Sequence, residues 1–350
     1  VIDWRSSESH LLLNPRMPEE ERRRLESFVT PLESHVWLAT SGTSGALKLT
    51  ALSKRALLVS AAAVNRHLES TARDVWYCVL PTFHVGGVSI HARAFLSGAR
   101  VVELPWDPHA FAASRELTLA SLVPAQVSDL VRERLDPPPS LRAIVVGGGA
   151  LGDDLYGAAR AAGWPLLPSY GMTECCSQVA TATLASPELI LLDHVDARIE
   201  ADGRIALQSE SLLTGYGTEH GFIDAKQNGW FITEDLGIVR GRVLHVAGRR
   251  GEFVKIGGES VDLARLDRIV SSVAGDRAAI VAMPDPRLGH VIHLVVERGA
   301  DTAIIAAAYD ARVHPFERAR RVHLVSRIPR TALGKLKRVE LAASLPTSVE

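Results

Sequence analysis

Short apolar runs and longer amphipathic stretches alternate through the first half of the chain. Residues 35–39 form an apolar run that leads into a Ser/Thr/Gly loop, and residues 53–68 repeat apolar positions at helical spacing. The same grammar continues: runs at 75–80, 99–104, 121–123, 141–146 and 165–167 predict strands, and 88–96 predicts a helix. Residues 56–64 are the most apolar stretch and predict a buried helix, whereas the charge-dense 18–26 predicts an exposed helix start. Strand–helix alternation of this kind predicts an α/β core around a largely parallel sheet.

The pattern changes near residue 194. Residues 195–213 and 229–246 read as hairpins turning at Asp202-Gly203 and Arg240-Gly241, which predicts a β-rich part over about 194–247. A glycine-bounded basic break, Gly248-Arg-Arg-Gly251, follows. Beyond it come a helix over 262–273, strands over 278–283 and 291–297, a helix over 302–313 and a strand over 321–328. The expected organisation is a large α/β domain over 1–250 and a small α+β domain over 251–350, with the boundary at about Gly251.

Composition narrows the function classes. The 350 residues carry 39 Lys and Arg against 40 Asp and Glu, a balance unlike the cationic excess that phosphate-backbone binding needs. No apolar run approaches the ~18–20 residues of a membrane helix, and no basic-then-apolar leader opens the chain. Three cysteines, two of them adjacent, exclude a disulfide framework and fit a reduced, cytoplasmic setting.

Three strings concentrate candidate chemistry. Thr40-Ser41-Gly42-Thr43-Ser44-Gly45-Ala46-Leu47-Lys48 puts hydroxyls, glycines and an ammonium directly after a strand, the residue types that cradle an anion. It is not a Walker A loop, because Lys48 does not follow the last glycine; the plain alternative is a flexible Ser/Gly turn. Gly147-Gly148-Gly149-Ala150-Leu151-Gly152 satisfies G-x-G-x-x-G, so a dinucleotide-binding oxidoreductase is the competing class. The next strand, however, ends in Pro168-Ser169-Tyr170 rather than in an acid, and a glycine turn after any α/β strand accounts for the string equally well. Tyr170-Gly171-Met172-Thr173-Glu174 lies at a strand's C-terminal end, where a hydroxyl beside a carboxylate suits a metal-bound polyphosphate, or else caps a helix.

Together, and in this order, the three strings resemble the adenylate-forming superfamily of acyl-CoA synthetases, luciferases and peptide-synthetase adenylation domains. The likeness continues in Gly229-Trp-Phe-Ile-Thr-Glu-Asp235, in Gly248-Arg249 with Lys255-Ile-Gly257-Gly258-Glu259, and in Ile328-Pro-Arg-Thr-Ala-Leu-Gly-Lys335, and covers about residues 35–341. It implies an adenylate-forming ligase fold, with a small mobile C-terminal domain hinged at Gly251. It also implies ATP and Mg²⁺ as ligands and coenzyme A as co-substrate.

The site roles are implied in the same way. Thr40, Ser41, Gly42, Thr43, Ser44, Gly45 and Lys48 would wrap the β- and γ-phosphates. Gly148, Gly149, Ala150, Ser169, Tyr170, Gly171 and Met172 would line the adenine and the acyl group. Thr173 would touch phosphate, Glu174 would hold Mg²⁺, Asp235 and Arg249 would grip the ribose, and Lys335 would serve adenylation. Lys255, Gly257 and Gly258 would serve the thioester step. Two positions depart from the pattern: Glu234 replaces a glycine beside the ribose aspartate, and Gly251 replaces the hinge aspartate or lysine.

Pro81-Thr-Phe-His84-Val-Gly-Gly87 resembles the family's PxFHxxG, whose histidine gates the acyl pocket. Arg93 lies in an otherwise apolar helix and is costly to bury unless paired; it either faces solvent or serves an acid with a second carboxylate. With Ser121-Leu-Val-Pro-Ala-Gln126 it makes the chain most similar to the o-succinylbenzoate–CoA ligases of menaquinone biosynthesis, with Arg93, His84, Gln126 and Gly171 toward the acid. Another aryl- or acyl-CoA ligase, or an adenylation domain loading a carrier protein, remains an alternative. The expected partners are small molecules, without nucleic acid or a membrane span, and self-association is left open. Against the family the chain looks trimmed ahead of Thr40, which would leave surface for a partner subunit.

Overall fold

The computed structural model describes residues 2–41, 47–149, 151–249, 253–256, 259–285, 288–331 and 334–346. They divide into two compact units, Val1–Thr233 with Gly237–Val246, and Glu234–Leu236 with Ala247–Glu350.

The larger unit is built on a twelve-stranded sheet. Its parallel part runs in the spatial order Leu166–Met172, Ala143–Val146, Leu119–Leu122, Val75–Cys78, Arg100–Glu103. The three central strands are buried at every position, as expected of a parallel sheet covered on both faces. Their largely apolar runs, rather than alternation, made them legible in the sequence. Two further hydrophobic clusters flank this part, one around Phe111 and Trp164 and one around Trp76 and Ile90.

At Leu166–Met172 the sheet changes sense. A short turn at Thr173–Cys175 returns the chain as Ser177–Thr181, which pairs antiparallel with Leu166–Met172. The turn leaves Cys176 at φ 55° and Ser177 at φ 103°, left-handed conformations that side chains other than glycine rarely adopt. Gly171 faces Ser177 so closely that a Cβ would sit 1.9 Å from the Ser177 carbonyl oxygen; only glycine fits. The sequence reading ended this strand at residue 167. It runs to Met172, so Tyr170, Gly171 and Met172 are strand residues rather than loop.

A second, five-stranded sheet contains the antiparallel hairpin His35–Ser41 and Leu47–Ser53, in register Thr40↔Lys48, with Gly215–Thr218 added beside Leu47–Ser53. The strand Leu47–Ser53 was absent from the sequence reading, because its apolar alternation is short and follows a Ser/Gly-rich loop. Helix Lys54–Leu68 starts immediately after it, capped by the Ser53 hydroxyl, which accepts a hydrogen bond from the Ala56 amide at 3.0 Å. The expected hairpin Asp196–Ile199 with Arg204–Gln208 is present.

The second unit carries its own five-stranded sheet: Glu259–Asp262, Phe253–Ile256, Gly289–Glu297 and Ala278–Asp285 in order, with Ala319–Val325 parallel to Gly289–Glu297. Helices Leu263–Ala274 and Thr302–Asp310 supply apolar residues to its core. No helix among the described residues is long and apolar enough to cross a membrane.

Candidate active site

The polar groups with the strongest claim to chemistry gather where the large sheet changes sense. Glu174 follows the end of Leu166–Met172, and its Oε1 accepts a hydrogen bond from the Tyr216 hydroxyl at 2.7 Å. The Lys48 ammonium lies 3.8 Å from the same oxygen and 3.4 Å from the centroid of the Tyr216 ring. The backbone carbonyl of Glu174 accepts the Leu213 amide at 2.7 Å, which fixes the turn against the segment leading to Tyr216. Two strings that the sequence placed in one site, around Lys48 and around Glu174, therefore meet.

Arg93 approaches the same turn from helix Val85–Ser97. It is 2% exposed, which removes the solvent-facing alternative. Its Nη2 donates to Ser177 Oγ at 3.1 Å and its Nη1 to Ser121 Oγ at 3.4 Å; the guanidinium carbon lies 5.4 Å from the Trp76 ring centroid, and Nε has no partner. No carboxylate pairs with it among the described residues. Burial pushes its pKa down to about 9, which still leaves it charged at neutral pH. Among the described residues this buried cation is met by hydroxyls and a ring, surroundings chemically suited to an anion. Because Ser177 opposes Met172 across the strand pair, this cation sits next to the Thr173-Glu174 turn.

The remaining predicted residues fall as follows. His84 precedes helix Val85–Ser97, packs its ring 4.7 Å from that of Phe83, and is held below the ordinary histidine range by burial. Ser169 Oγ donates to the Val146 carbonyl at 2.9 Å, tying the Tyr170 strand to the glycine turn at Gly147. Gly148 takes φ 77°, as a tight turn there requires. The Gln126 side chain accepts the Val123 amide at 2.9 Å, so its Oε1 serves the start of helix Pro124–Arg132. Thr40 Oγ1 lies 3.1 Å from Thr50 Oγ1, beside Lys48 in the hairpin. Asp235, on strand Trp230–Arg240, and Lys335 belong to the second unit. Lys335 is exposed, on a turn closed by Thr331–Lys335 backbone and hydroxyl bonds of 2.8 and 3.1 Å. Gly42, Thr43, Ser44, Gly45, Ala150, Gly251, Gly257 and Gly258 lie outside the described residues, as do the side chains of Ser41, Arg249 and Lys255.

Residues 10–204 match the AMP-binding enzyme family profile. The chain belongs to that family. It is 30% identical to the 2-succinylbenzoate–CoA ligase of Bacillus cereus strain ATCC 14579, over 93% of this chain and 72% of the relative. Among solved structures, o-succinylbenzoate CoA synthetase from Bacillus subtilis in complex with the acyl-adenylate OSB-AMP superposes with a TM-score of 0.80 at 26% identity, covering 90% of this chain and 70% of that one. The same enzyme in complex with ATP and magnesium ion gives 0.78 at 27% identity, over 87% and 69%. The resemblance read from the motifs is thereby borne out, and the dinucleotide alternative for residues 147–152 falls away.

As an AMP-binding enzyme the chain is expected to use a divalent cation, and Glu174 fits one. Oε1 takes the Tyr216 hydrogen bond and the nearer approach of Lys48, whereas Oε2 accepts no hydrogen bond among the described residues. An oriented carboxylate with one oxygen available suits Mg²⁺, which takes one or two protein carboxylates and completes its shell with phosphate oxygens and water. Sequence reasoning missed three residues of this polar cluster. Ser121 and Ser177 were too generic to single out, although each stands within or just beyond a string that was read. Tyr216 stands between glycines in a strand that the sequence reading did not identify.

Proposed function

We propose that this chain is an AMP-forming acid–thiol ligase that converts o-succinylbenzoate to o-succinylbenzoyl-CoA in menaquinone biosynthesis. The observation that carries the choice of acid is the buried, carboxylate-free Arg93 beside the Thr173-Glu174 turn. A fatty-acyl pocket has no use for that charge. A guanidinium and a carboxylate, in contrast, match as a bidentate pair, so a second substrate carboxylate completes the site.

In the first step a carboxylate oxygen attacks the α-phosphorus of ATP; the new P–O bond forms as the bond to pyrophosphate breaks. Two anions approach each other, and the barrier is electrostatic. Lys48 places positive charge toward the polyphosphate, Arg93 anchors the distal carboxylate, and Lys335 serves the reacting carboxylate from the second unit. Magnesium, when held by Glu174, offsets phosphate charge. In the second step the CoA thiol attacks the acyl carbonyl and AMP leaves, with Lys255, Gly257 and Gly258 on the thiol's side and the smaller domain re-oriented about Gly251. Thr173 toward phosphate, Asp235 and Arg249 toward the ribose, and His84 toward the acyl pocket complete the assignment.

ATP–pyrophosphate exchange over a panel of acids tests this reading. Exchange should be fastest with o-succinylbenzoate and weak with benzoate or fatty acids. Arg93→Ala should lower kcat/KM for o-succinylbenzoate about a hundredfold while leaving the weak benzoate rate within a few-fold. Faster exchange with a monoacid, or an unchanged Arg93→Ala enzyme, would remove the assignment. A thioester formed on a holo-carrier protein but not on CoA would reassign the acceptor.

A further inference from the structure

The geometry points to Tyr216 as a positioning residue: it holds Glu174 by one oxygen and seats Lys48 on its ring, and so sets the direction in which the second carboxylate oxygen meets a divalent cation. The inference rests on the reading of Glu174 as the metal-facing group.

The register explains why one tyrosine can do both. Tyr216 opposes Thr50, and Lys48 opposes Thr40. Side chains two apart share a face of a sheet, so Thr40, Lys48, Thr50 and Tyr216 stand on one face. The 3.1 Å approach of Thr40 Oγ1 to Thr50 Oγ1 lies on that face too. The strand carrying Tyr216 has little freedom. A Cβ on Gly217 would sit 2.2 Å from the Phe28 carbonyl oxygen, and one on Gly215 would sit 2.5 Å from the Phe222 ring. The tyrosine is thus presented from a strand packed tightly on both sides of it.

From that position the ring face receives the ammonium at 3.4 Å and the hydroxyl reaches Glu174 Oε1 at 2.7 Å. The hydroxyl and the ammonium thus both lie toward Oε1, which holds that oxygen and leaves Oε2 as the one to meet a cation. The ring beneath the ammonium also keeps Lys48 beside the carboxylate, 3.8 Å from Oε1.

Tyr216→Phe separates the two contacts, because it keeps the ring and removes the hydroxyl; Tyr216→Leu removes both. Two quantities are read: the half-saturating Mg²⁺ for ATP–pyrophosphate exchange at saturating ATP, and calorimetric binding of a non-hydrolysable ATP analogue with and without Mg²⁺. For Tyr216→Phe, half-saturating Mg²⁺ should rise about fivefold to tenfold, the scale of a typical lost intramolecular hydrogen bond. Analogue binding should weaken only when Mg²⁺ is present. Tyr216→Leu should also weaken binding without Mg²⁺, since Lys48 loses its seat. Equal weakening of Tyr216→Phe with and without Mg²⁺, or a wild-type Mg²⁺ dependence, overturns the assignment. Glu174→Gln separates the two levels. If it shifts the Mg²⁺ dependence while Tyr216→Phe does not, only the role of Tyr216 fails; if it shifts nothing, the metal reading fails as well. If Tyr216→Leu does not fold, Tyr216→Phe alone decides.

Discussion

Arg93 is buried to 2% exposure with hydroxyls for partners, so the unliganded protein carries a desolvated charge that an apolar side chain would not. Arg93→Met should therefore leave the free protein as stable as the wild type or raise its Tm by a few degrees, while activity on o-succinylbenzoate falls; calorimetry beside the exchange assay reads both. A second buried group sets an acid limit. Burial pushes His194 down to about 4, with Arg66 and Arg242 adding to the effect against Asp193, and neither ring nitrogen has a hydrogen-bond partner among the described residues. The unfolded chain binds this proton near the ordinary 6.5, so stability is lost as pH falls from about 6.5 to about 4 and then levels. Urea midpoints at pH 7.5 and 4.5 should differ less in His194→Gln than in the wild type. Asp74 acts in the same direction at lower pH. Burial would raise its pKa, but Arg142, the Thr71 amide and Thr118 hold it at about 2, so its contribution disappears as pH falls from the ordinary 3.8 through 2. The environments of His194 and Asp74 were not legible in the sequence. Arg93 could be flagged as anomalous in an apolar helix, but whether it faced solvent depended on Ser121 and Ser177, 28 and 84 residues away.

Among elements, the central strands Val75–Cys78, Ala143–Val146 and, two residues late at 121–123, Leu119–Leu122 were legible because burial on both faces writes largely apolar runs. Leu47–Ser53 and Gly215–Thr218 were not. The first is half-buried at one end, and the second is Gly-Tyr-Gly-Thr, whose glycines answer to neighbouring backbone rather than to strand propensity. The end of Leu166–Met172 was misplaced for a similar reason: Pro168, Ser169 and Gly171 look like loop residues, yet pairing of Pro168 with Val146, and of Ser169 to Met172 with Ser177–Thr181, holds them extended. That pairing predicts a sharp local sensitivity. Gly171→Ala puts a methyl 1.9 Å from the Ser177 carbonyl and must push the two strands apart. We expect a loss of about 2–4 kcal/mol in chemical denaturation, with exchange activity falling further than stability alone explains, because Ser177 is displaced from Arg93.

At the scale of the molecule, the groups proposed for chemistry are divided between two units, with Lys48, Arg93 and Glu174 in one and Asp235 and Lys335 in the other. The division predicts a split in the half-reactions. Lys335→Ala should lose adenylation by about 10²–10³ and still convert supplied acyl-adenylate to thioester; equal loss of both would refute alternation between the domains. The sequence reading, which divided the chain at about Gly251, kept Asp235 with the large domain, whereas Glu234–Leu236 groups with the second unit. The cavity of about 450 Å³ bounded by Tyr77, Val102, Leu104 and Phe111 contains none of the residues so assigned.

The solitary charge of Arg93 also bears on how well this protein resists proteolysis. A ligand that binds only the folded chain shifts the folding equilibrium by mass action, by ~2.7 kcal/mol at a concentration 100 times its Kd. On the proposed role of Arg93, an acid whose second carboxylate neutralises it should stabilise the fold even without ATP. Limited proteolysis of the purified chain should therefore slow as o-succinylbenzoate is added, and should not respond to it in Arg93→Met.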